Sequence, residues 1–360
     1  MEPIFVAVIG VGGVGTCFLR QLAALPDDWR PFLIYLARST KNLFSEDYSE
    51  IPVEQAESLL AASSAPMLNL YEVATYLARA PGQTVLVDNT SSQEIADAYP
   101  AFLAKGISIV TPNKKAFSSD LGLWQDILEA ATVNRALIYH ESSVGAGLPV
   151  ISTLKDLVAT GDEVLGIEGV FSGTMSFLFN SFAPVDEAPT GKWSETVSQA
   201  KAAGYTEPDP RDDLNGTDVA RKLTILARLV GLKVEGPASF PVQSLIPPAL
   251  ATAGSADEFM SKLPQYDGEM EYYKEKAKEA GKVVRYVGSV DVAKGLVKVG
   301  LEMVDRASPI ASLKGSDNLI SFYTRRYGTN PLVIQGAGAG SEVTAMGVTG
   351  DLIKVMERLR

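Results

Sequence analysis

The sequence predicts an α/β protein, with a doubly wound parallel sheet first and a second α+β domain after it. Three observations predict this. Short β-rich runs alternate with helical patterns over the first 150 residues. A G-x-G-x-x-G run lies between the first strand and the first helix. Beyond residue 150 the pattern changes to helices followed by paired alternating segments with hairpin spacing.

The elements follow in order. Ile4 to Ile9 reads as a strand and leads through Gly10-Val11-Gly12-Gly13-Val14-Gly15 into a helix ending near Leu25. Phe32 to Leu36, Thr84 to Val87, Ile107 to Val110 and Ala136 to Tyr139 are further short apolar runs. Ser92 to Lys105 and Leu121 to Ala131 read as helices between them. In the second domain, Val164 to Phe171 reads as a strand, and Ser194 to Ala203 and Thr217 to Val230 as helices. Asp267 to Lys282 is expected to be a solvated helix. Val283 to Val290 and Leu296 to Val304 form a predicted hairpin, with more strand at Asn318 to Thr324 and Leu332 to Ile334, giving a mixed sheet. A last helix spans Val343 to Arg358. The expected organisation is a dinucleotide-binding domain (1–150), a substrate-binding and catalytic domain (151–335) and a C-terminal segment (336–360) that returns to the first.

Composition narrows the function. With 360 residues, 46% hydrophobic and 21% charged, the chain can bury full cores, and its length suggests two domains. A net charge of -11 argues against nucleic acid as a partner, because phosphate backbones demand a basic face. The single cysteine, Cys17, and the single histidine, His140, exclude a Cys/His zinc cluster. No apolar run is long enough for a membrane span, and no cleavable leader is evident, so a cytoplasmic location is expected.

The glycine run carries the cofactor signal. Gly10 permits the tight turn, Gly12 lets the backbone approach a pyrophosphate, and Gly15 allows close helix–strand packing. This makes the first domain Rossmann-type. Cofactor choice is written after the second strand, where an acidic residue would favour NAD. Here stand Arg38, Ser39 and Lys41, which suit a 2′-phosphate and hence NADP, with NAD still accepted. Asn89, Thr90 and Ser91 follow one later strand and Lys114 follows another, where parallel sheets bind ligands. Ser91 or Ser92 can equally cap a helix.

The chemical signal lies further on. Gly204 to Gly216 is an acidic, proline-punctuated loop, and the Thr217 helix follows it. Asp218 and Lys222 share a helix face at i and i+4. Taken alone, that pair reads as a surface ion pair. The preceding loop changes the reading, since Glu207, Asp213 and Asp218 together suit an ammonium group.

This stretch resembles the substrate signature of homoserine dehydrogenases. Asn113-Lys114-Lys115-Ala116, Gly145-Ala146-Gly147-Leu148-Pro149 and Phe171-Ser172-Gly173-Thr174 match that family too, in the right order. The resemblance runs essentially end to end and is closest to the short fungal form. It implies NADP-dependent interconversion of L-homoserine and L-aspartate 4-semialdehyde, in threonine, methionine and isoleucine biosynthesis. It implies Lys222 as the proton donor or acceptor, Asp218 as the carboxylate that holds substrate and orients that lysine, and Glu207 as the amino-group binder. Lys114 matches the family's lysine between cofactor and substrate. Glu141, with the carbonyls of Val144, Ala146 and Leu148, matches a monovalent cation site, usually sodium. Gly340 matches the turn returning to the cofactor domain, and a homodimer is implied. Free lysine titrates near ~10.4, so acid–base work near neutral pH needs that value lowered. Asp218 opposes such a shift, which suits it to positioning.

His140 closes a buried-looking strand and reads as structural. Two rival readings differ in what they leave unexplained. Another NADP dehydrogenase of the aspartate semialdehyde type needs a catalytic cysteine, and Cys17 lies in the nucleotide-binding helix. A silent NADP sensor has no need of Glu207, Asp218 and Lys222 together.

Overall fold

The computed structural model describes residues 3–185 and 191–360. The chain divides into two compact units, one of residues up to Ile151 together with Ala339–Arg360, the other Ser152–Gly338.

The first unit is built on a six-stranded sheet in the order β3-β2-β1-β4-β5-β6. The strands are β1 (Ile4–Ile9), β2 (Phe32–Ala37), β3 (Asn42–Phe44), β4 (Gln83–Asp88), β5 (Ser108–Val110) and β6 (Ile138–Tyr139). All six β1 residues are buried, which explains why β1 reads as a continuous apolar run rather than an alternating one. β1 pairs in parallel with β2 on one side and β4 on the other. Chain order therefore reverses at β1, and a crevice opens beyond the carboxyl ends of β1 and β4. Edge strand β3 runs antiparallel to β2, pairing Tyr35 with Phe44 and Ala37 with Asn42. Three residues are too few to show a period, so β3 was not legible.

One core joins the sheet to the Gly13–Ala23 helix and the last helix, Ser341–Leu359. Val6, Val8, Phe18, Leu22, Val85 and Val87 pack with Ala345, Val348, Leu352 and Val355 in it. Burying each large aliphatic chain is worth about 1.5–3 kcal/mol. That burial draws the C-terminal segment back to the first sheet. The predicted helix from Ser92 to Lys105 is instead two, Gln93–Asp97 and Tyr99–Leu103. Pro100 has no amide hydrogen to continue the first, but it is tolerated in the first turn of the second.

The second unit holds a five-stranded sheet in the order β11-β10-β7-β8-β9. Its strands are β7 (Val164–Val170), β8 (Lys282–Asp291), β9 (Leu296–Asp305), β10 (Asp317–Thr324) and β11 (Leu332–Ala337). Every pair is antiparallel, so the expected mixed sheet is corrected. Two hairpins, β8–β9 and β10–β11, flank β7, and short connections favour antiparallel neighbours. Gly295 takes the left-handed conformation in the first hairpin's turn (φ 65°), where Lys294 N–H donates to Asp291. The helices Gly173–Phe182 and Thr217–Leu229 cover one face of this sheet. Gly288 on β8 seats both Phe171 and Leu223, since a Cβ there would come within 2.9 Å of Leu223 and 3.0 Å of Phe171.

The Asp267–Glu279 helix is solvated on one side only. Met270, Lys274 and Ala277 are buried, and the Lys274 ammonium lies 4.3 Å from the Phe182 ring centre. The predicted end at Lys282 moves inward because Gly281 (φ 70°) stops the helix and Lys282 begins β8. Among the described residues no helix is long and apolar enough to cross a membrane.

Candidate active site

Gly10 leaves β1 with φ 91°, and a Cβ there would lie 2.7 Å from Thr90 Cγ2. The amides of Gly10 and Val11 both donate to the Ala37 carbonyl. A Cβ on Gly15 would sit 2.3 Å from the Gly10 carbonyl oxygen, so only glycine lets the helix approach this closely. At Gly12 a Cβ would point into open space. The helix then starts at Gly13 with no side-chain cap, leaving first-turn amides, including those of Val14 and Gly15, for an anion. The Ser341 hydroxyl of the C-terminal helix closes one side of this loop, 2.9 Å from where a Gly13 Cβ would be. Gly340, at φ 120°, caps that helix.

Asn89 gives an independent sign of a ligand. Both polar atoms of its amide are buried without a hydrogen-bond partner, and Nδ2 lies 3.7 Å from a Gly15 Cβ position. Buried polar atoms without partners are costly, and here a phosphate-bearing dinucleotide would satisfy them. The residues present therefore fit that cofactor. Thr90 N–H donates to Asp88, Ser91 is exposed, and Ser92 caps the next helix through Ile95 N–H. Arg38 and Ser39 are exposed beyond β2, while the Lys41 ammonium donates to the Ala61 carbonyl.

The buried carboxylate that organises this edge is Asp88, to which sequence reasoning gave no role. Tyr99 Oη donates to its Oδ2 at 2.6 Å and Asn113 Nδ2 at 3.1 Å, and Thr111 Oγ1 donates to its carbonyl at 2.8 Å. Burial, then Asp88 itself, pushes the Tyr99 phenol well up from its ordinary value. The ends of β4 and β5 are thereby locked, which sets Asn89, Thr90 and the following Lys114. Lys114 is half-buried, and its carbonyl accepts from the Ser118 hydroxyl.

His140 stacks on Phe117 with ring centres 3.9 Å apart, and its Nδ1 lies 3.0 Å from Ser143 Oγ. Glu141 follows, buried, with Oε1 accepting from Ile151 N–H at 2.6 Å and Oε2 3.9 Å from Lys354. Its own N–H donates to Asp351, a carboxyl that burial raises to about 6. Gly145 and Ala146 are consecutive left-handed residues, φ 80° and 54°, in the turn that carries Val144 and Leu148. The Leu148 carbonyl accepts from Val150 N–H. Among the described residues no cluster of three or more His, Cys, Asp or Glu could hold a metal, so a cation at this turn would need main-chain oxygens beside the Glu141 carboxylate.

In the second unit, the Thr217–Leu229 helix starts from Gly216, left-handed at φ 76°. Nearly every position from Val219 to Arg228 is buried, which the polar face suggested by the sequence does not convey. Lys222 is only 6% exposed. Its Nζ lies 2.7 Å from Asp218 Oδ2 and donates to the Phe171 carbonyl at 2.6 Å. β7 ends one residue before Phe171, which frees that carbonyl. The expected ion pair therefore forms, but with a buried lysine.

The acidic loop folds beside it. Asp213 Oδ2 accepts from Glu207 N–H at 2.8 Å, and the Glu207 side chain is exposed. Arg211 ties Asp209 to the loop and reaches the Ala253 carbonyl. Tyr205 stacks on Phe177 with ring centres 4.3 Å apart. Thr174 joins these pieces, with Oγ1 2.8 Å from Asp213 Oδ1 and 2.6 Å from the Tyr205 carbonyl. Its place beside a helix start was the only local sign of such a role.

Residues 10–141 match the family described as homoserine dehydrogenase, NAD binding domain, and residues 149–353 match homoserine dehydrogenase itself. The chain belongs to the homoserine dehydrogenase family. It is 64% identical to the homoserine dehydrogenase of Emericella nidulans, with 99% of each chain covered. A crystal structure of a Candida auris protein of unknown function superposes with a TM-score of 0.95 at 49% identity, covering 100% of this chain and 99% of that one. A hyperthermophilic archaeal homoserine dehydrogenase mutant, solved in complex with NADPH, shares the fold at 22% identity and a TM-score of 0.74, covering 99% and 98%. As a homoserine dehydrogenase of the fungal monofunctional type, the chain is an NAD(P)-dependent oxidoreductase of amino-acid biosynthesis. Its glycine loop lies within the NAD-binding match, and the Glu207-to-Lys222 stretch within the other.

Proposed function

We propose that Lys222 moves the proton in a reversible, NADP-preferring reaction between L-homoserine and L-aspartate 4-semialdehyde. The buried contact of its Nζ with Asp218 and the Phe171 carbonyl carries this reading. When bound, NADPH supplies the hydride that reduces the aldehyde carbon. The Lys222 ammonium then gives its proton to the substrate's alcohol oxygen, and takes it back in the oxidative direction. Two acceptors from different elements hold Nζ in one place, so the proton is delivered along a fixed direction. Asp218, half-exposed, also receives the substrate. Glu207 accepts the ammonium group, with Asp213 holding the loop beside it. Lys114 binds the substrate carboxylate or shares the proton transfer.

For the cofactor, Gly10, Gly12, Gly13, Val14 and Gly15 receive the pyrophosphate, Asn89, Thr90 and Ser91 line the adjacent strand end, and Gly340 flanks the loop. Arg38 and Ser39 take the 2′-phosphate. Glu141 with the carbonyls of Val144, Ala146 and Leu148 suits a hard monovalent cation such as sodium, which would brace the left-handed turn. A cytoplasmic homodimer completes this reading.

The test is nicotinamide absorbance with L-homoserine as substrate, and L-serine, L-threonine and L-malate as controls. Homoserine-specific reduction of NADP is expected. NADP bound without turnover in either direction would overturn the reading. Arg38→Asp is expected to lower kcat/KM for NADP by about 10–100-fold, one charge-assisted contact, while NAD changes little. Equal losses with both cofactors would remove Arg38 from the 2′-phosphate site.

A further inference from the structure

We propose that Asp213 serves as an uncharged acid in the substrate-free enzyme, at the head of a hydrogen-bond relay through Thr174 to the Tyr205 carbonyl that positions the Glu207 loop. The argument is a count of hydrogens. Thr174 Oγ1 lies 2.6 Å from the Tyr205 carbonyl oxygen and 2.8 Å from Asp213 Oδ1. A hydroxyl has one hydrogen, and neither a carbonyl nor an ionised carboxylate has one to give. If Asp213 were ionised, one of these short oxygen–oxygen contacts would contain no proton and would be repulsive. With the proton on Asp213 Oδ1 every contact is satisfied: Oδ1–H donates to Thr174, Thr174 donates to Tyr205, and Oδ2 accepts from Glu207 N–H at 2.8 Å.

The surroundings agree. The loop brings the charge of Asp212, the following helix brings Asp218, and the Thr174 helix, Gly173–Phe182, contains no charged residue. Among the described residues Asp213 has no ion pair, and the Lys222 cation is engaged by Asp218 at 2.7 Å. Burial first, and the Asp218 and Asp212 charges after it, hold the Asp213 carboxyl above the ordinary carboxylate range. Asp213 and Thr174 are then positioning residues, and the ammonium of the substrate is left to Glu207 and Asp218. The kinetic side of this inference rests on the substrate role proposed for the Glu207 loop; its stability side does not.

Asp213→Asn is the deciding variant, because an amide donates to Thr174 and accepts from Glu207 N–H without titrating. Asp213 keeps its proton in the fold but loses it in the unfolded chain. Its stabilising contribution is therefore complete below the unfolded value and is lost as pH rises through the folded one. The melting temperature of D213N relative to the unsubstituted protein is expected to climb as pH rises above about 4. T174V should raise KM for homoserine about tenfold with kcat little changed, and T174S should restore it. A D213N protein whose melting temperature falls further below that of the unsubstituted protein as pH rises would show an ionised Asp213 and overturn the relay. If E207Q leaves KM unchanged while the melting difference still climbs, the relay stands and the loop's substrate role falls.

Discussion

Lys222→Ala is expected to lower kcat for homoserine oxidation by about 10²–10⁴-fold, the range for a positioned acid–base group, with NADPH affinity unchanged. The expected effect is large because the ammonium is buried and held in place. Nζ is brought to one point by Asp218 at 2.7 Å and the Phe171 carbonyl at 2.6 Å. Truncation also strips the Phe171 carbonyl of this donor, at a cost to stability of about 1–3 kcal/mol. Fluorescence titration with NADPH separates the two effects, and a thermal melt confirms that the variant is folded. A folded K222A protein with undiminished turnover would move the proton to another group, and Lys114 would be the next residue to replace.

Gly216→Ala is expected to destabilise the protein by about 2–4 kcal/mol, combining overpacking with a strained left-handed backbone. Gly216 has φ 76°, and an added Cβ would lie 2.1 Å from Tyr286 Oη and 3.0 Å from Val242 Cγ1. That hydroxyl donates to the Gln243 carbonyl at 2.7 Å, so it cannot swing aside without losing a bond. Gly216 is the cap of the helix that carries Asp218 and Lys222, and activity should fall with stability. Tyr286→Phe removes the clashing oxygen but not the backbone strain. Urea unfolding of G216A, Y286F and the double variant should therefore show coupling of about 1–2 kcal/mol between the two sites. Strict additivity would mean that the helix start has moved away from Tyr286, and the steric account would be wrong.

The two halves of the site differ in how they are encoded. At the glycine loop the chain writes its chemistry locally. Three glycines stand at fixed spacing within six residues, and the tightest constraint, Gly15 against the Gly10 carbonyl, lies inside that run. Asp218 and Lys222 are also local, one helical turn apart. Asp88 shows the opposite case. It looks like one more polar residue at a strand end, yet it is fully buried and binds Tyr99, Thr111 and Asn113. Nothing in the spacing of those four residues announces a network, because Asp88 ends β4, Tyr99 opens a helix, and Thr111 and Asn113 lie in the loop after β5.

Periodicity and spacing determined the parallel first sheet, the β8–β9 hairpin, the dinucleotide loop and the shared helix face of Asp218 and Lys222. Those features depend on neighbours along the chain, where the 3.6 and 2.0 residue repeats operate. The antiparallel order of the second sheet, the edge strand β3 and the burial of Lys222 depend on which distant segments meet. The same holds for Phe171, which reaches Lys222 across 51 residues, and for Thr174, which reaches Asp213 across 39. A helical repeat can put a lysine on a face. Only packing against Gly288 and the end of β7 decides that the face is dry and that a carbonyl waits there to hold the ammonium.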